Sequence, residues 1–275
     1  MGYYNPLTKT FDKNNRTMYD AFKTMEFEHK ESDNFIMPFL VLLDEANLSP
    51  MEYYWGDFMK CFDDSHKDNM MINLGEDYQF KIYDNLRFVA TINNDHTTEQ
   101  LSPRLLDRAW VITLPKYSRF LQTKDNFDIP NKDIPTDIGN ISWIDFQNIF
   151  KTENSTELSK ETNDILAELD EIFNSMSISI SHRVWDDVEN YIKVGREFFE
   201  VDNDGRALDK PEISALDNAV AQRLLPKINF GIEFESKFKE LKDLCSEKNS
   251  FKKSSKILER IEKKAQSNHY YSFFY

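Results

Sequence analysis

Two short apolar runs stand out along the chain, each stopped by polar residues. The first is Phe39-Leu40-Val41-Leu42-Leu43, with Pro38 before it and Asp44-Glu45 after it. The second is Phe88-Val89-Ala90-Thr91-Ile92, which ends at Asn93-Asn94-Asp95. Continuous apolar runs of this length read as parallel strands buried on both faces. Trp110-Val111-Ile112-Thr113-Leu114, stopped by Pro115, reads as a third strand. Between the first two, residues 69–83 have the pattern of a short hairpin around Gly75-Glu76-Asp77. Residues 1–15 are turn-rich, without a periodic apolar face. Residues 16–30 predict a helix with Met18, Phe22 and Met25 along one side. Met51, Tyr54, Trp55, Phe58 and Phe62 recur at helical spacing, and Ser49-Pro50-Met51-Glu52 before them reads as a capping box with Pro at the first helical position.

After a Pro-, Asn- and Asp-rich stretch at 116–140 the period changes. Ile165, Leu166, Leu169, Ile172, Phe173 and Met176 mark one helix, and Val184, Trp185, Val188, Tyr191 and Ile192 mark another. Further helices are expected at 211–225, 231–246 and 252–267. An α/β part at 1–116 followed by a linker and an all-helical part at 117–275 is the architecture this implies.

Composition narrows the function classes. The 275 residues suffice for a sizeable core, and aromatic residues make up 14% of them, which is not the signature of a disordered chain. The formal net charge of −14 argues against a broad nucleic-acid footprint on this chain. Cys61 and Cys245 are distant in sequence and suggest no disulfide framework. With no apolar run of membrane-spanning length and no signal-peptide pattern, a cytoplasmic protein without membrane contact is expected.

The chemistry-bearing residues gather at the ends of the predicted strands. Open α/β sheets bind ligands at the carboxyl ends of their strands, where Asp44, Glu45 and Asn93 fall. Nucleotide hydrolysis needs a carboxylate near Mg²⁺ and often a second to orient or deprotonate water; a strand-end amide can orient that water. Ser102-Pro103 opens a short helix presenting Arg104 and Arg108, four apart and so on one face. Such arginines can neutralise the charge that develops as a phosphoryl group transfers. Much later, Ser181-His182-Arg183 begins a helix with Ser181 placed to cap it. Any one of these alone suits an ordinary turn or solvated face; their order and spacing together are a stronger signal than any one of them.

Asp44-Glu45-Ala46-Asn47-Leu48-Ser49 with Glu52 resembles the Walker B segment of the McrB-like group of AAA+ ATPases, the motor subunits of modification-dependent restriction systems. Phe88 to Asn93, followed by Leu101-Ser102-Pro103-Arg104-Leu105-Leu106-Asp107-Arg108, resembles that group's sensor 1 strand and arginine-finger helix. Ser181-His182-Arg183 looks like its sensor 2, Leu216-Asp217 through Leu225-Pro226-Lys227 like its helical lid, and Tyr271-Ser272-Phe273 like its closing aromatic motif. The resemblance implies a partial AAA+ P-loop NTPase core followed by an all-helical lid domain. It also implies Mg²⁺ and ATP or GTP as cofactors, with Asp44 linked to the metal and Glu45 the catalytic base. Asn93 becomes sensor 1, Arg183 a nucleotide-binding sensor 2, and Arg108 the trans arginine finger, with Arg104 its competitor. The implied partners are further AAA+ subunits in a hexameric homo-oligomeric ring and a McrC-like nuclease subunit, with DNA contacted only indirectly.

One departure qualifies the resemblance. A phosphate-cradling loop requires G-x-x-x-x-G-K-[ST], because backbone N–H groups must approach phosphate closely. The seven glycines, at 2, 56, 75, 139, 195, 205 and 231, offer no pair with that spacing and none is followed by Lys. Gly2-Tyr3-Tyr4-Asn5-Pro6 resembles a stretch that in this family follows the phosphate loop and the second strand. Met1 is thus expected to fall inside the domain, with the sheet lacking its phosphate-loop strand and the loop supplied from outside this chain. An inactive AAA+ remnant that only packs against other subunits is the alternative. The five histidines and two cysteines have no zinc-ligand spacing, and no G-x-S-x-G elbow is present. Pro211-Glu212 with Glu235-Ser236-Lys237 falls on helical patterns, not on the rigid convergent frame a nuclease needs.

Overall fold

The computed structural model of the chain describes residues 4–5, 10–11, 17–31, 36–60, 70–73, 79–93, 98–114, 142–149, 157–199, 210–248 and 251–274. It opens with β1 (Tyr4–Asn5) antiparallel to β2 (Thr10–Phe11), then α1 (Thr17–Glu31), β3 (Phe39–Leu43) and α2 (Met51–Met59). The hairpin β4 (Met71–Asn73) and β5 (Gln79–Lys81) is antiparallel, as its pattern predicts; its turn at Gly75 lies outside the described residues, as do Phe62 and the 116–140 stretch. Next come β6 (Leu86–Ala90), α3 (Pro103–Leu106) and α4 (Trp143–Ile149). The remainder is α5 (Lys160–Ser175), α6 (His182–Phe198), α7 (Pro211–Ala219), β7 (Asn229–Gly231), α8 (Glu235–Asp243), α9 (Lys252–Asn268) and β8 (Tyr270–Ser272). Among these described residues no helix is long and apolar enough to cross a membrane.

β3 and β6 pair in parallel, with Val41 opposite Phe88 and Leu43 opposite Ala90. Their inner face is a cluster of large side chains. Phe22 of α1 stacks on Phe80 at 4.6 Å, Trp55 and Phe58 of α2 stack at 4.1 Å, and Phe88 meets Trp55 edge-on. The outer face corrects the expectation of strands buried on both sides. Leu40 and Leu42 are 67% and 59% exposed and Val89 is 48% exposed, so burial alternates with period two along β3 and from Leu86 to Val89 in β6. α1 and α2 cover one face only. On the other, Arg87 sits over the Trp143 ring at 4.6 Å, and α4 is seated by a hydrogen bond from Trp143 N to Ile36 O.

The expected third strand, 110–114, is not a strand. A strand exists only with a hydrogen-bonded neighbour, and Val111 N instead donates at 2.9 Å to Gln222 O, in the helical body. The expected capping box at Ser49–Glu52 does not form either. Pro50 takes the N-cap position, and its side chain, like that of any proline, offers no acceptor; no side-chain bond closes the first turn of α2.

The helical body has its own core. α5 buries Ile165, Leu166, Leu169, Ile172 and Phe173, and α6 buries Val184, Val188 and Ile192. Gly195 of α6 lets Ala215 of α7 approach closely: a Cβ there would lie 3.0 Å from the Ala215 Cβ. Asp217, buried in α7, accepts from Lys253 N and Ser254 N at 2.8 Å and so caps α9 from another helix. α7 runs on through a π-helical turn, Val220–Leu224, and a 3-10 turn, Leu225–Lys227, rather than as one regular helix to 225. β7 and β8 form an antiparallel pair that the helical pattern did not foretell, with Phe230 stacked on Tyr271.

Candidate functional site

Asp44, Glu45 and Asn93 come together at the carboxyl ends of β3 and β6. The ladder continues past the strands: Thr91 N donates to Leu43 O at 2.9 Å, and Ala46 N donates to Thr91 O at 2.8 Å. Thr91 also binds both acids with its hydroxyl. Its Oγ1 donates to Asp44 Oδ1 at 2.5 Å and accepts from Glu45 N at 2.8 Å. Glu45 is held at φ 50°, ψ 46°, the left-handed region that a residue with a Cβ enters only at a cost. The Thr91 bonds on either side of the turn hold that conformation. Both carboxylates stand exposed beyond the sheet.

Asn47 is the fixed point of the site. It is buried; its Nδ2 donates to Asn93 O at 2.8 Å and to Glu99 O at 3.1 Å, and its Oδ1 accepts from Asn93 N at 3.1 Å. Its backbone carbonyl accepts from Glu99 N at 2.9 Å. One amide thus satisfies the strand-end backbone at Asn93 and ties it to the segment leading into α3. The Tyr54 hydroxyl donates to Ala46 O at 2.5 Å, locking the turn onto α2.

α3 begins as its sequence predicts, with Ser102 accepting from Leu105 N at 3.2 Å and Pro103 in the first turn. It ends at Leu106, so Arg108 lies in the turn beyond rather than on the face of a continuing helix. Arg108 Nη1 nonetheless returns to Arg104 O at 2.8 Å. Arg104 is exposed and Arg108 half-buried. Arg183 lies in the first turn of α6; Ser181 occupies the N-cap position with no side-chain capping bond. The structure therefore unites Asp44, Glu45 and Asn93, and places Arg183 elsewhere, beside Arg223. The Arg223 guanidinium is pushed below its usual range by burial and, more weakly, by Arg183, against the pull of Asp187 and Asp107.

A family model described as Domain of unknown function (DUF8727) matches residues 135–270. No curated protein and no solved structure matches the chain. The matched stretch takes in α4 and the helical body from α5 to the start of β8. It contains Arg183 and Arg223 but not Asp44, Glu45, Asn93, Arg104 or Arg108.

Among the described residues no three His, Cys, Asp or Glu side chains converge as a metal cage. Mg²⁺ in phosphate chemistry asks for less: one or two carboxylates, with water and phosphate oxygens completing the octahedron. The exposed Asp44 carboxylate, with one oxygen engaged by Thr91 and adjacent to Glu45, meets that requirement. Sequence reasoning missed Thr91, Asn47 as an organiser, and Arg223. The signal for Thr91 was a hydroxyl at the end of an apolar run. For Arg223 it was a lone cation among Val220, Ala221, Leu224 and Leu225.

Proposed function

We propose that the chain is part of an AAA+ nucleoside triphosphatase hydrolysing ATP or GTP with Mg²⁺ in a DNA restriction or defence complex, with a phosphate loop contributed from outside these residues. The observation that carries this reading is the joint placement of Asp44, Glu45 and Asn93 at the ends of two adjacent parallel strands, tied by Thr91 and Asn47. In this reading Asp44 would hold Mg²⁺, which when bound would supply neutralisation of phosphate charge. Glu45 orients and deprotonates water, Asn93 helps to hold that water, and Arg108 neutralises charge on the phosphates of a neighbouring subunit.

The test is hydrolysis of ATP and GTP by the chain alone and mixed with a polypeptide carrying an apolar strand followed by G-x-x-x-x-G-K-[ST]. The chain alone should turn over negligibly and the mixture should be active. Glu45→Gln should retain nucleotide and nearly abolish hydrolysis, since the carboxylate acts on water and not on the bound phosphates. Arg108→Ala should lower turnover by roughly 10³ or more if it is the trans finger. Tight Mg²⁺-dependent nucleotide binding by the chain alone, or an active Glu45→Gln, would overturn the reading.

The exposed apolar side chains on the outer face of the sheet favour a second reading, a module that binds other AAA+ subunits without catalysis. Leu40, Leu42 and Val89 form an apolar patch on the outer face of the paired strands. Subunit association that persists while every mixture stays inactive would support it.

A further inference from the structure

Arg223 is 1% exposed, the most buried cation among the described residues, and it sits in the π-helical turn after α7. Its guanidinium does not serve the helix that carries it. Nη1 donates to Leu106 O at 3.1 Å and Ala109 O at 2.7 Å; Nη2 donates to Asp107 O at 2.8 Å and to Asp187 Oδ2 of α6 at 2.5 Å. Three of the four acceptors are backbone carbonyls of the turn that ends α3 and holds Arg108. Lys227 pairs with Asp107 in the same turn, Val111 N donates to Gln222 O, and Arg223 lies over the Trp110 ring at 5.7 Å. By contrast Leu105, one residue before the first of these carbonyls, packs in the cluster beneath the sheet. The boundary between the two cores therefore falls between Leu105, in the cluster beneath the sheet, and Leu106, whose carbonyl Arg223 binds.

We propose that Arg223, assisted by Lys227, is a positioning residue that fastens the 106–111 turn to the helical body, so that Arg108 is presented by, and moves with, that body rather than the sheet. The carbonyls of Leu106 and Asp107 at the end of α3 have no intrahelical donor, and a planar guanidinium with several N–H groups in fixed geometry can satisfy both and reach Ala109 O in the turn beyond. A lysine cannot, because its ammonium is a compact point charge on a flexible stem. π-Helical turns are often found at functional sites, and here the turn aims a long side chain across the domain boundary. The catalytic consequence rests on the nucleotide reading of Arg108; the mechanical coupling does not.

Hydrogen exchange of the full chain, read by mass spectrometry over peptides covering 103–111, tests the coupling without nucleotide. Arg223→Lys keeps the charge opposite Asp187 and most of the volume. It should speed exchange at the Asp107, Arg108 and Val111 amides by about tenfold or more, as expected when several net hydrogen bonds to one segment are lost. Amides of α6 and α8 should stay at wild-type rates. Asp107→Asn, at the part-exposed rim, should produce a smaller increase at the same amides and decides the matter if the Arg223 variant does not fold. Unchanged exchange over 106–111, or an equal rise throughout the helical body, would overturn the proposal by making Arg223 an ordinary core residue. A silent Arg108→Ala in the hydrolysis assay would instead count against the nucleotide reading and leave the exchange result standing.

Discussion

At the residue scale, the site depends on side chains whose work is to hold backbone. The Thr91 hydroxyl bridges the Asp44 carboxylate and the Glu45 backbone N–H. Asn47 does the same for Asn93, and Glu212 does it in the helical body. Glu212 Oε1 accepts from Thr162 Oγ1 and Ser159 N, while Arg196 donates to Oε2 at 3.2 Å. Burial pushes the Glu212 carboxyl up, but the bonds from Thr162, Ser159 and Arg196 together outweigh it and hold it below the usual carboxylate value. A carboxyl whose folded pKa is depressed adds stability that is fully present above its unfolded pKa and is lost as pH falls through the folded value. The helical body should therefore weaken below about pH 4.5, the model-compound range for Glu. Thermal melts followed by circular dichroism from pH 6 to 3 should show Glu212→Gln less stable than wild type at pH 6, with the gap narrowing on acidification. A gap that stays constant with pH would exclude this carboxylate as a source of the acid sensitivity.

Elements were legible where a pattern required only local information. The apolar runs located β3 and β6, the helical periods located α1, α2, α5, α6 and α9, and Ser102-Pro103 located α3. What failed needed a partner that no local window contains. Trp110 to Leu114 has strand composition, yet Val111 bonds to Gln222 in the helical body. β7 and β8 are three residues each and lie 38 residues apart, too short and too distant for periodicity to find. Five apolar residues in β3 gave no clue that one face would stay open, because hydropathy does not say which side a helix will cover. The open face makes a sharp contrast between neighbours. Leu40→Thr and Leu42→Thr should change unfolding free energy by no more than about 0.5 kcal/mol, the usual range for surface substitutions. Phe88→Ala, on the inner face against Trp55, should cost about 3–5 kcal/mol. Urea denaturation measures both, and a Leu42→Thr as damaging as Phe88→Ala would mean that the outer face is covered.

At the scale of the whole molecule there are two cores of unequal quality. The helical body packs α5 to α9 around many side chains with no exposure, among them Leu169, Phe173, Val188, Leu224, Phe238 and Leu258. The other core lies beneath a two-stranded parallel sheet whose outer face stays open at Leu40, Leu42 and Val89. Small sheets of two strands are marginal without further packing, and cooperative units within a chain open at free energies set by their own burial. Urea should therefore unfold the sheet region before the helical body. Trp55 belongs to the first core and Trp185 packs against the second, so variants retaining only one of these tryptophans report the two steps separately. The Trp55 midpoint should fall at lower urea, and coincident midpoints would show a single cooperative unit instead. The same experiment reaches function. A polypeptide bearing an apolar strand and phosphate loop that docks on the sheet binds the folded state alone, and at 100 times its Kd it should stabilise that region by about 2.7 kcal/mol. The Trp55 transition should then move to higher urea while the Trp185 transition stays in place. If neither transition moves at saturating concentrations, such a strand does not complete this sheet, and the subunit-binding reading becomes the stronger of the two.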